Sequence, residues 1–223
     1  MNWNGLPLLI FGTSGISKEV KNVVDEINQK NYEKTYQFLG FVAEQEKDVG
    51  RKIGTGTAVC SDESFGEYVS HFSVIGAVIP IGTPDIKRKI YERVCCHRNL
   101  VFPNIISPSA RLMDPVTIKM GMGNIICSGS ILTTEICMGD FNLINLSATV
   151  GHNVKMGSYI VVNPLVSVSG GVEVEDGVLL GAGSAIKQGV KVMENSIVGL
   201  GAIIPKDVEK DRVMICQGAY EMK

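Results

Sequence analysis

Apolar residues recur every six positions through the C-terminal half of the chain. Counting from Val150, the series is Val150, Met156, Val162, Val168, Val174, Leu180, Ile186, Val192, Val198 and Ile204. Backward it runs through Ile144, Met138, Leu132 and Ile126 to Met120. Four residues after each stands a small or β-branched residue, as at Val154, Val166, Val178, Ser184 and Ala202. Glycine follows the apolar position at Gly139, Gly151, Gly157, Gly181 and Gly199, where the chain is expected to turn. An amphipathic helix repeats every 3.6 residues and a half-buried strand every two, so neither gives a period of six. The period predicts one short strand and one turn per repeat. Three repeats then make an 18-residue coil of a triangular prism, with the apolar series inside. Stacked coils bury a continuous core that no single repeat could bury. Before Met120 the register breaks. Ile118, Leu112 and Ile106 keep the spacing with an offset of two, which predicts a short insertion near Lys119–Gly121.

The first hundred residues follow another rhythm. Leu8–Phe11 reads as a buried strand, and Gly12-Thr-Ser-Gly15 as a tight loop. Val20, Val23, Val24 and Ile27 have helical spacing, with Ser17 as the expected N-cap. Phe38–Val42 and Val74–Ile79 read as further strands, and a helix is expected from about Asp85 to His97. Strand–loop–helix alternation predicts a small parallel sheet. The chain divides into an α/β, Rossmann-like domain over 1–103, a parallel β-helix over 104–209 and a C-terminal tail over 210–223. The Gly12–Gly15 loop opens a helix, where backbone N–H groups can receive phosphate. It lacks a full G-x-G-x-x-G, and glycine can serve there for turn geometry alone. Gly82 and Thr83, at the end of a neighbouring strand, form a second candidate wall.

Composition narrows the function classes. With 21 Lys+Arg against 23 Asp+Glu, both dispersed, there is no basic footprint for nucleic acid. No apolar run approaches the roughly 20 residues that span a bilayer, and the N-terminus lacks a signal-peptide pattern; the expected location is cytoplasmic. The six cysteines form no C-x-x-C pair and read as reduced. The three histidines, His71, His97 and His152, have no metal-ligand spacing with them, so no metal is expected.

Several segments together resemble the bacterial sugar O- and N-acyltransferases of the hexapeptide-repeat class. This group includes sialic acid O-acetyltransferases and enzymes that acetylate nucleotide-linked amino sugars. The matching segments are Gly12–Val20, Val78–Ile90, Ile106–Ala110, Val150-Gly-His-Asn-Val154 and Gly201–Val208. The resemblance implies left-handed coiling, a homotrimer, and acetyl-CoA as cosubstrate in a groove between neighbouring β-helices. It also implies a nucleotide-linked sugar on the N-terminal domain, with Gly12, Thr13, Ser14, Gly15, Gly82 and Thr83 as contacts. His152 stands where similar enzymes carry the general base. Gly181, Ala182, Gly183 and Lys187 would line the groove for pantetheine and the CoA phosphates.

Acyl transfer from a thioester needs a proton removed as the nucleophile attacks, a task suited to imidazole near neutral pH. Many relatives follow this histidine with Asp or Glu; here Asn153 follows, an acceptor without charge. One coil is 18 residues, so Glu135 is expected to stack beside Asn153 and supply the missing carboxylate. The same step puts Thr134 before His152 and Gly170 after it, the Gly170 N–H being a candidate donor to the thioester oxygen. Some relatives carry a second histidine nine residues on; here that place is Val161. The favoured function is N-acetylation of a nucleotide-linked amino sugar. An O-acetyltransferase for sialic acid or a polysaccharide sugar, or a non-catalytic sugar-binding module, are the competing readings. A carbonic anhydrase of the same scaffold is disfavoured, because its metal needs several histidines.

Overall fold

In the computed structural model, which describes residues 4–216 and 218, the six-residue rhythm becomes three stacked parallel sheets winding as a left-handed β-helix. One face holds the two-residue strands Ile105–Ile106, Ile125–Ile126, Leu143–Ile144, Val161–Val162, Leu179–Leu180, Ile197–Val198 and Val213–Met214. The second runs from Arg111–Leu112 to Ile203–Ile204, and the third from Lys119–Met120 to Lys191–Val192. In each strand the second residue points inward. Leu132, Ile144, Val150, Val162, Leu180 and Val198 are fully buried in one continuous core. The coil continues past residue 209, because Val213–Met214 pairs with Ile197–Val198.

The expected insertion is real but lies earlier than Lys119–Gly121. Met138 pairs with Met120 at the ordinary spacing of 18, whereas Leu132 pairs with Leu112 and Ile126 with Ile106 at 20. The two extra residues therefore fall between Leu112 and Lys119. Ile118 misled the count. It is buried in the small-residue slot that Ile136 fills one coil later, and it does not belong to the first apolar series.

The chain turns where the glycines after each apolar residue stand, and the left-handed residue of the turn lies two positions farther on. A positive φ recurs every sixth residue from Gly123 to Gly201, three positions after the apolar residue, and none of Gly139, Gly151, Gly157, Gly181 or Gly199 has one. Those glycines serve close approach instead. A Cβ on Gly151 would lie 2.7 Å from the Gly170 nitrogen, and one on Gly181 would lie 2.6 Å from the Gly199 carbonyl carbon. Seven of the fourteen left-handed positions are not glycine: Glu135, Phe141, Ser147, Asn153, Tyr159, Leu165 and Asn195. Such a conformation costs roughly 1–2 kcal/mol for most side chains. The stacked hydrogen bonds of the coil enforce it.

The N-terminal domain is a six-stranded sheet. Its elements are β1 (Leu6–Phe11), α1 (Gly15–Lys30), β2 (Tyr36–Ala43), β3 (Lys52–Ile53), β4 (Gly56–Ser61), α2 (Phe65–Ser70), β5 (Ile75–Val78), α3 (Pro84–Val94) and β6 (Leu100–Val101). The order is β3-β4-β2-β1-β5-β6, parallel except for the β3–β4 hairpin at one edge. Helix α1 starts two residues before Ser17, at Gly15 with Ser14 as N-cap residue. Ser17 is buried and its hydroxyl donates to the Phe11 carbonyl at 3.1 Å, tying the helix to the end of β1.

Alternation along β1 explains how the domains join. Leu8 and Ile10 pack with Val20, Val23 and Val24 of α1 and with Ile105, Ile125, Leu143 and Val161 on the first face of the prism. Leu9 and Phe11 point the other way, onto Phe65, Val69 and Val94 of α2 and α3. Val161, in the place where some relatives have a second histidine, is thus sealed in the domain interface.

Candidate active site

His152 leaves the prism at the corner that follows Thr149–Val150 on the second face. Its neighbours come from stacking rather than from adjacency in sequence. The corner N–H groups form a ladder: Gly189 donates to the Gly170 carbonyl, Gly171 to His152, and Asn153 to Thr134. Thr134, His152 and Gly170 therefore occupy one column, and Glu135, Asn153 and Gly171 the next. A Cβ on Gly170 would fall on the His152 imidazole, and Gly170 has no positive φ. Its missing side chain is what lets the ring lie against the following coil. The corner stays open beyond it, since a Cβ on Gly171 or Gly189 would meet nothing within 4 Å.

The hydrogen bonds at this corner have a defined direction. Glu135 does not reach the imidazole. Its Oε2 accepts from the Asn153 side-chain amide at 2.6 Å, and Asn153 Oδ1 lies 2.8 Å from His152 Nδ1. An ionised carboxylate only accepts. The amide nitrogen must therefore face Glu135 and the amide oxygen must face the ring. An amide oxygen also only accepts, so Nδ1 carries a hydrogen, and in the neutral ring the lone pair is on Nε2. The sequence reading had Glu135 standing in for a carboxylate on the histidine; the structure instead puts the Asn153 amide between them.

The proposed CoA-side residues do not gather in one place. Lys187 is exposed on the His152 corner, two coils along. Gly181, Ala182 and Gly183 lie at the corner on the opposite edge of the second face, following Leu179–Leu180.

On the N-terminal domain, Gly12 and Ile81 meet where β1 and β5 end side by side. A Cβ on Gly12 would lie 3.1 Å from Ser17 Oγ and 3.3 Å from Ile81 Cδ1. Next to them is a cavity of about 390 Å³ lined by Phe11, Gly12, Val42, Glu44, Asp62, Ile81, Ile86, Lys89, Ile90 and Arg93. Thr13, Ser14 and Gly15 continue from Gly12 into the start of α1; Gly82 and Thr83 sit exposed at the start of α3. None of these five lines the cavity. The sequence reading missed its charged groups. Arg93 bonds Asp62 at 2.6 Å. Burial raises the Asp62 carboxyl above its ordinary range, opposed by Arg93 and reinforced by Glu44. Ile86, Lys89, Ile90 and Arg93 recur at helical spacing on one side of α3, a signal the sequence did offer.

A second depression, on the third face, has its charges already engaged: Lys155 with Glu173 at 2.9 Å, Lys191 with Glu175 at 2.7 Å and Lys210 with Glu194 at 2.6 Å. Among the described residues no cluster of three His, Cys, Asp or Glu side chains could hold a metal ion. No described helix is long and apolar enough to cross a membrane.

Residues 7–94 match the family model described as the PglD N-terminal domain. A search of the curated proteins gave no match. Among solved structures, the fold is similar to a mutant perosamine N-acetyltransferase from Caulobacter crescentus in complex with CoA and GDP-perosamine. That match has a TM-score of 0.82 and 22% identity over 93% of this chain and 92% of the other. It is also similar to the acetyltransferase domain of PglB from Neisseria gonorrhoeae with acetyl coenzyme A, at a TM-score of 0.79 and 19% identity, covering 93% and 94%. WeeI from Acinetobacter baumannii matches with a TM-score of 0.79 and 21% identity over 93% and 95%. Residues 7–94 are thus similar to the PglD N-terminal domain, and the two-domain, hexapeptide-repeat fold is similar to that of these bacterial sugar acetyltransferases.

Proposed function

We propose that the protein is an acetyl-CoA-dependent acetyltransferase acting on the amino group of a nucleotide-linked amino sugar, with His152 as general base. The observation that carries this reading is the fixed direction of the Glu135–Asn153–His152 hydrogen bonds, which leaves Nε2 free to take a proton. The CoA and GDP-perosamine bound by structural neighbours of the same two-domain fold support the choice of substrates.

The residues at the corner fit acetyl-CoA. Gly170, Gly171 and Gly189 keep the surface beside the imidazole free of side chains, and Lys187 offers a cation for phosphate. Acetyl-CoA would supply the activated acetyl group. His152 Nε2 would receive the amine proton as the nitrogen attacks the thioester carbon, the C–S bond would break, and CoA would leave as its thiol by taking that proton from the imidazolium; the base contributes about 10²–10⁴ in rate. The Gly170 N–H, which bonds no carbonyl of the coil, can donate to the thioester oxygen as charge develops there. On the sugar-nucleotide side, Lys89 and Arg93 provide cations for a diphosphate, while Glu44 and Asp62 can accept from ribose or base.

A homotrimer belongs to the same reading. Leu165, Leu200 and Ile203 are 68%, 75% and 76% exposed along the second face and its corner, an apolar stripe suited to a second copy of the chain.

The test is a panel of nucleotide-linked amino sugars and their hydroxyl counterparts, incubated with acetyl-CoA and read by mass spectrometry. An acetyl mass gain on amino acceptors alone is the expected result. Gain on hydroxyl acceptors alone would replace the reading with O-acetylation, and no gain on any acceptor would favour a binding module. Light scattering should return three times the mass of the chain.

A further inference from the structure

The two-residue insertion before Lys119 lies directly beneath the His152 corner. At the coils above, the N–H of each left-handed corner residue (Asn153, Gly171, Gly189) donates to a backbone carbonyl of the coil before it. At Glu135 the insertion has removed that carbonyl, and the Glu135 N–H donates instead to Thr117 Oγ1 at 2.9 Å. Thr117 and Thr134 each donate a hydroxyl hydrogen to Asp114 Oδ2, at 2.9 and 3.0 Å. These bonds hold the Asp114 carboxyl below its ordinary range, so it stays ionised. The insertion is thus an organised platform whose last member carries Glu135.

We propose that Glu135 is a positioning residue that works through Asn153. Its carboxylate fixes the direction of the Asn153 amide, the amide fixes His152 with its proton on Nδ1, and the insertion holds Glu135 in place. This rests on His152 acting as the general base. The physical content is directional. A carboxylate can only accept, so the amide has one orientation. A glutamine at 135 could accept or donate. The Asn153 amide could then turn over, present its N–H to the ring and move the proton to Nε2, where no base remains. A charge-assisted hydrogen bond is also about twice as strong as a neutral one. The other charged groups around this corner are Asp114 below, Lys155 on the next strand and paired with Glu173, and Lys187 two coils on.

The test exchanges the two side chains. Glu135→Gln alone should lower kcat about tenfold with KM for both substrates unchanged, and move the acid limb of the pH–kcat profile to lower pH. Asn153→Asp alone should also lose activity, because two carboxylates then meet at hydrogen-bond distance. Combining them restores one donor between two acceptors. The new amide at position 135 donates to the new carboxylate at position 153, and that carboxylate accepts from Nδ1. The double variant should return to within about threefold of the wild type, a coupling that independent sites would not show. Both positions are exposed, so folding is not at stake. Wild-type kcat and pH profile in E135Q, or a double variant no better than the worse single one, would overturn the proposal. Nitrogen NMR of the imidazole in the free protein gives a readout independent of turnover. The wild type and the double variant should show the Nδ1–H form alone, and E135Q a mixture. If no acceptor is acetylated, the catalytic reading fails and this spectrum still decides the relay. Mixed forms in the wild type, or an unchanged spectrum in E135Q, would refute it.

Discussion

Two corners of the prism share one backbone and do different work. In the first, Glu135, Asn153, Gly171 and Gly189 stack at left-handed positions, exposed or beside open space. In the second, Gly123, Phe141, Tyr159, Gly177 and Asn195 stack in the same conformation, and Phe141 and Tyr159 pack under helix α3. Phe141 and Tyr159 lie 5.6 Å apart and nearly parallel, with Tyr91 4.6 Å from Phe141 and the Arg88 guanidinium 5.2 Å over Tyr159. Lys87 is buried there and donates to the Phe141 carbonyl at 2.9 Å. The coil sets the conformation of each corner, and the side chain decides whether the corner stays open or packs under a helix. Helix α3 joins the two ideas, because Lys89 and Arg93 face the cavity while Lys87 and Tyr91 face the prism.

The largest effect on the comparison should come from Phe141→Ala. Removing a fully buried aromatic that bridges α3 and the coil should cost about 3–5 kcal/mol of stability, measured by denaturant unfolding. At the open corner, Gly170→Ala should leave the melting temperature nearly unchanged. The added methyl falls on the imidazole, so kcat should drop roughly 10–100-fold, as a 1 Å displacement near the chemistry does. A third effect, read across pH rather than at one pH, sits on Lys87. Burial pushes its ammonium down to about 7 from an ordinary 10.5. Between those values the unfolded chain binds the extra proton, so stability should rise as pH rises from about 7 toward 10.5. Lys87→Met should flatten that rise, and an unchanged slope in denaturant melts across this window would show that Lys87 is not its source.

The sequence carried the prism clearly, because its interior admits only one face of each repeat and the apolar series marks it. The 18-residue step also put Thr134, Glu135 and Gly170 around His152–Asn153, since stacking in a regular coil is arithmetic. Less was legible where structure depends on neighbours. Phe141, Tyr159 and Leu165 have no preference for a left-handed backbone, so the sequence marks the corners by glycines such as Gly151 and Gly181 but not the left-handed residue within each corner. The β3–β4 hairpin went unseen because Thr- and Gly-rich strands at a sheet edge carry little hydrophobic contrast, although Gly54 marks its turn. Glu44, Asp62 and Arg93 come from three separate elements, and only the sheet order brings them to one cavity. The amide between Glu135 and His152 depended on side-chain direction, which stacking alone does not specify.

The central claim is that the exposed corner is a proton-accepting site, and one comparison tests it most directly. It is kcat/KM for acetyl transfer by the wild type and by His152→Gln, using the acceptor that the mass-spectrometric panel identifies. The account expects a loss of about 10²–10⁴ with an unchanged melting temperature. Equal rates in the two proteins would contradict it.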